Sequence, residues 1–184
     1  MNIDSLKQAV NHFGAVWFPG TDPENNQPFW FRARNAKHAP IIRELCESCM
    51  HIVNQVLTTA TPPDTLLLAL RDWSQAEILT LSIMLDQMPR NALAIGFGGF
   101  SELNPLDVAA AIDDSYSLSL ARTILDKDNT KVDDYRITCF FSLIFRHSND
   151  FVNARKVLSS FSRPLPPLAE KFWAETNKRE SSIK

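Results

Sequence analysis

The segment that most constrains this chain runs from Ser74 to Asn91. Ser74-Gln75-Ala76-Glu77 has the form of a capping box, in which the serine hydroxyl accepts from the third backbone N–H and the glutamate reaches back to the serine's own. The residues that follow are apolar on nearly every side of a helix. At about 100° per residue, Ile78, Leu81 and Leu85 line one side, Leu79 and Ile83 a second, and Met84 a third. A helix without a polar face has to be surrounded by protein, so the rest of the chain must build a shell around it. Pro89 lacks a backbone N–H, and Met88-Pro89-Arg90-Asn91 is expected to end or kink this helix after about Gln87.

The remaining segments read as further helices. Asp4 or Ser5 can cap a first one, with Leu6, Val10 and Phe13 on one face and Gly14 as its stop. An aromatic, proline-rich stretch from Trp17-Phe18-Pro19-Gly20 to Pro28-Phe29-Trp30-Phe31 reads as an ordered loop, since side chains this large must bury against something. Pro40 suits the first turn of a helix to about Leu57, striped by Ile41, Leu45, Ile52 and Val56. Shorter helices are expected over residues 65–72, 104–112 (opened by Asn104-Pro105) and 117–125, and a longer apolar one from about Val132 to Phe145. Ser148 can cap the next, where Phe151, Ala154, Leu158 and Phe161 share a face. A last amphipathic helix carries Leu168 and Phe172, and the tail from about Asn177 is polar and expected to fray. The expectation is all-α: one domain over residues 1–176 with a polar tail at 177–184, roughly seven to nine helices in antiparallel pairs, and no strand.

Composition narrows the function classes. Of 184 residues, 45% are apolar and 22% charged, with a net charge of -2. That is a globular mixture without the basic surplus of a nucleic-acid binder. No apolar stretch approaches the ~20 residues of a membrane span, and the first residues lack the apolar core of a signal peptide, so a soluble, cytoplasmic setting is expected. Three cysteines fit reduced thiols. Cys46-x-x-Cys49-x-His51 falls mid-helix with no second ligand pair and no preceding strand, and reads as core packing, not metal or redox chemistry. Gly96-Phe97-Gly98-Gly99-Phe100 follows a helix and lacks the lysine of a P-loop, so no phosphate site, cofactor or metal is expected.

Leu85-Asp86-Gln87-Met88-Pro89-Arg90-Asn91 resembles the LDQ-x-PRN hallmark of the domain-of-unknown-function family numbered 924. Trp17-Phe18, Trp30-Phe31, Trp73, Phe100 and Phe140-Phe141 with His147-Ser148 follow in that family's order, from about Val16 to Phe161. The resemblance implies an all-α, tetratricopeptide-repeat-like array and carries no established activity. This chain is a divergent member by that likeness. Asn149 stands where the family's HSE has glutamate. Thr138 replaces an arginine (Arg136 lies nearby), Ile144 a proline, and Ala39 an aspartate.

The candidate site centres on Asp86. It lies within about 20° of Leu79 around the helix, and so points into apolar surroundings. A buried carboxylate needs partners. Arg90 is four residues on, and Gln87 and Asn91 can satisfy carbonyls at the helix end. One reading is a self-satisfied polar knot that fixes the turn. The other is a pocket lined by Asp86, Gln87, Arg90, Asn91, His147 and, as a further ligand contact, Trp73. Two functions follow: a binding module for a protein, peptide or small polar ligand in a groove near this segment, or a cofactor-independent enzyme using Asp86, Arg90 and His147 for proton transfer on a polar or anionic substrate. A third possibility is a structural subunit whose aromatic loop is buried in a homodimer.

Overall fold

The computed structural model describes residues 2–20, 22, 30, 39–59, 61–99, 113–127, 132–162 and 164–183. They form α1 (Ile3–Trp17), α2 (Ala39–Thr59), α3 (Pro63–Ala69), α4 (Gln75–Ala94), a 3-10 turn (Phe97–Gly99), α5 (Ser115–Asp126), α6 (Tyr135–His147), α7 (Phe151–Leu158) and α8 (Pro167–Ile183). The fold is all-α: no strand occurs among the described residues, and no helix among them is long and apolar enough to cross a membrane. Phe29, Phe31, Phe100 and the helix expected over 104–112 lie outside the described residues.

Two buried helices form the centre. In α4 every residue from Leu79 to Met88 is buried, and in α6 every residue from Arg136 to Phe145. They pack on each other; α1, α2 and α5 cover α4, and α5, α7 and α8 cover α6. The capping box is formed: Glu77 N–H donates to Ser74 Oγ at 3.2 Å, and Ser74 N–H to Glu77 Oε2 at 2.7 Å. Contrary to the expectation, α4 does not stop at Gln87 but runs through Pro89 to Ala94. An interior proline costs about 3 kcal/mol. Burial contributes about 1.5–3 kcal/mol for each large apolar side chain, and this helix buries six from Leu79 to Met88, so packing prevails.

Other boundaries differ for equally local reasons. Asn2, not Asp4 or Ser5, caps α1, its Oδ1 accepting from the N–H of Asp4 (2.9 Å) and Ser5 (3.2 Å). Gly14 does not stop that helix. It lies inside it, where a Cβ would come 3.3 Å from Thr80 Cγ2, so the glycine lets α1 approach α4 closely. Ser148 does not cap α7; Asp150 does, accepting from Asn153 N–H at 3.3 Å. Ser148 instead ends α6. Asn149 takes φ 59°, and the N–H groups of Asn149 and Asp150 bond Arg146 O (3.2 Å) and Phe145 O (2.8 Å), a Schellman closure. The polar tail is helical to Ile183, its register held by Arg155 Nη1 to Glu180 Oε2 at 2.7 Å between α7 and α8.

Trp17, Phe18 and Trp30 are buried in the chain's own interior. Phe140 is ringed by Trp30, Phe172, Phe18 and Trp17 at centroid distances of 4.8, 5.5, 5.6 and 5.9 Å. Arg136 is fully buried. It grips Asp134 (Nη2 to Oδ2 2.7 Å) and donates to the carbonyls of Phe18, Pro19 and Gly20, tying the end of α1 to the start of α6.

Candidate functional site

The second half of α4 and the last residue of α6 bring Asp86 and His147 together. The Asp86 side chain is fully buried and accepts three donors: Gln87 Nε2 at 2.6 Å, His147 Nδ1 at 2.9 Å and Arg90 Nε at 3.2 Å. The Asp86–Arg90 pair closes across Pro89 within one continuous helix. Asn91 Nδ2 donates to the Gln87 carbonyl at 2.7 Å. Four of the five candidate residues beside Asp86 thus meet or support it.

Trp73 does not. It stands before the first turn of α4, about 20 Å from Asp86 along the axis at 1.5 Å per residue. There it lines a different cavity, with Lys7 Nζ 5.6 Å from its ring centroid.

A residue not anticipated completes the cluster. Asp114 precedes α5 in the N-cap position, yet its side chain makes no capping bond. It pairs with Arg90 Nη2 instead, so Arg90 is held between two carboxylates. Asp114 Oδ1 is buried without a hydrogen-bond partner. A buried acceptor left unpaired costs about 1–3 kcal/mol, which marks it as a place for a donor.

The two carboxylates diverge in acidity. Burial alone pushes Asp86 up; the charge and hydrogen bond of His147, the charge of Arg90 and the Gln87 bond outweigh it and hold the carboxyl down at about 2. Asp114 is raised, first by burial and further by the Asp86 charge, with Arg90 opposing. Neighbouring acids pushed apart in this way are a recurring feature of proton-handling sites. Because Asp86 is an anion with no proton to give, His147 Nδ1 is the donor in their contact. That leaves Nε2 as the ring nitrogen available to a ligand. Exposure matches this division: His147, Asp114 and Arg90 are 17%, 16% and 12% exposed, whereas Asp86 is 0%.

Two arginines border the histidine. Arg146 lies over the Phe172 ring at 5.5 Å, and its Nη1 is buried and unpaired. Burial, then the Arg179 charge, lower it to about 10, against Glu175 and Asp86. Arg179 Nη2 donates to the His147 carbonyl at 3.5 Å. Arg146 and Asp114 were not legible as site residues, because they fall just outside the helices expected over 132–145 and 117–125 and no local spacing ties either to Asp86.

Cys46 and Cys49 are buried mid-helix, and burial pushes their thiols up to about 12 and about 11. Protonated thiols are poor nucleophiles and metal ligands. Among the described residues no group of three or more His, Cys, Asp or Glu side chains is arranged to hold a metal ion. Compared with known proteins, the chain matches no family model, no curated protein and no solved structure.

Proposed function

We propose that the chain binds a small polar or anionic molecule at the junction of α4, α5 and α6, and that His147 passes a proton to or from it. The observation that carries this reading is the buried Asp86 carboxylate bonded at 2.9 Å to Nδ1 of His147, a side chain that keeps 17% of its surface exposed. Nε2 takes a proton from a ligand hydroxyl or amide, and Asp86 stabilises the resulting imidazolium before the proton returns. Asp86 is a positioning residue here. Arg90, fixed between Asp86 and Asp114, supplies a cation to a ligand oxygen, and Asp114 Oδ1 accepts from a ligand donor. A compact cluster of partly exposed polar groups suits a molecule with a few polar atoms better than an extended peptide face.

The resemblance to family 924, with its repeat-like array, belongs to the same reading. The segments that carry it, Leu85 to Asn91 and Phe140 to Ser148, are those that build the cluster. A cytoplasmic setting agrees with the three unpaired, buried thiols.

A thermal-shift screen of small carboxylates, phosphates and amides, run in parallel on the wild type and His147→Gln, tests this function. At least one compound should raise the melting temperature of the wild type and leave folded H147Q unmoved. A screen in which no compound stabilises the wild type more than H147Q would refute it.

A further inference from the structure

The cavity that Trp73 lines is remote from the Asp86 cluster and has a chemistry of its own. Its volume is about 600 Å³, within the range of small-molecule sites. Leu67 and Leu68 of α3, Trp73, Ile78 of α4 and Ile124 of α5 supply apolar walls. The wall is preformed. Trp73 is 8% exposed, with Lys7 placed over its ring and Lys7 itself tied to Glu77 at 3.2 Å. Leu68 is 68% exposed, one of few large apolar side chains among the described residues left open to water. Such a side chain at the lip of an apolar cleft is where a ligand recovers burial.

The charged groups at the mouth set the ligand's polarity. Asp64 is already neutralised by Lys127, Nζ to Oδ1 at 3.0 Å. Among the described residues Arg71 meets only Asp72, at 3.8 Å with both side chains at least three-quarters exposed, so that weak contact leaves the guanidinium open to a stronger partner. The lining therefore pairs an apolar interior with one surplus cation, on a side chain whose planar fork matches a carboxylate. We propose that this cleft is a second binding site, for a small amphipathic carboxylate whose aliphatic or aromatic body lies between Leu67, Trp73, Ile78 and Ile124 and whose carboxylate meets Arg71.

Calorimetric titration of the full chain with octanoate tests it. Octanoate should bind with a dissociation constant below about 1 mM. Arg71→Glu and Leu68→Glu, both at exposed positions, should each weaken it by about tenfold or more, with unchanged helical circular dichroism. Asp64→Asn, which frees Lys127, should tighten it severalfold. Octylamine, with the same chain and the opposite charge, should not bind, and H147Q should bind octanoate as the wild type does. No octanoate binding, equal binding of octylamine, or undiminished binding by R71E would overturn the proposal. So would an acidic amphipathic peptide that binds this face where octanoate does not.

Discussion

Replacing Asp86 by Asn isolates what the buried carboxylate does. The substitution keeps size and shape, so the chain meets the same packing with the charge removed. Asp86 is held at about 2, against 3.8 for an ordinary aspartate. At about 1.4 kcal/mol per pKa unit, this difference makes the ionised form worth about 2 kcal/mol at neutral pH. There is a second cost. The carboxylate accepts from Gln87, Arg90 and His147, whereas an asparagine has one acceptor oxygen and adds donors of its own. At least one neighbouring donor is left unpaired, for about 1–3 kcal/mol more. The expected loss is about 3–5 kcal/mol, or a fall of about 6–20 °C in melting temperature for a chain of this size. Urea unfolding at pH 7 measures it. The pH dependence gives an independent check. A carboxyl depressed by folding stabilises fully above its unfolded value near 4 and loses that contribution as pH falls through about 2. The wild type should lose about 2 kcal/mol relative to D86N between about pH 5 and pH 2. A D86N chain within about 0.5 kcal/mol of the wild type at pH 7, or a stability difference that does not change with acid, would refute the reasoning.

Arg136→Ala should cost about 3–5 kcal/mol in urea unfolding, because it leaves Asp134 and the carbonyls of Phe18, Pro19 and Gly20 without their cation. Asn149→Gly should leave stability unchanged or raise it by up to about 1 kcal/mol, and Asn149→Ala should lower it by about 1 kcal/mol, since residue 149 sits at φ 59°. Equal melting temperatures for the two variants would contradict the left-handed closure of α6.

What could be read from sequence was local or angular. The Ser74–Glu77 box lies within four residues, and the burial of Asp86 follows from its angle around an all-apolar helix. The continuation of α4 through Pro89 was not readable, because it depends on the helices that enclose it. Asp114 illustrates the same limit. It stands at the N-cap position of α5, but Arg90 claims the side chain from another helix. Ser148 and Asp150 are both good caps, and the left-handed Asn149 between them decides which one opens α7. The Asp86–His147 contact joins two helices far apart in the chain, and no spacing rule reports it. Trp73, expected as a further ligand contact, stands apart because the length of α4 carries it to the opposite end.

The central claim is tested most directly at the imidazole of His147. Long-range nitrogen–proton correlation spectra of side-chain-labelled protein, recorded where the ring is neutral, distinguish which nitrogen carries the proton. The Asp86 contact predicts a protonated Nδ1 and a bare Nε2, with that pattern lost in D86N. A neutral ring protonated at Nε2, with Nδ1 bare in the wild type, would contradict it.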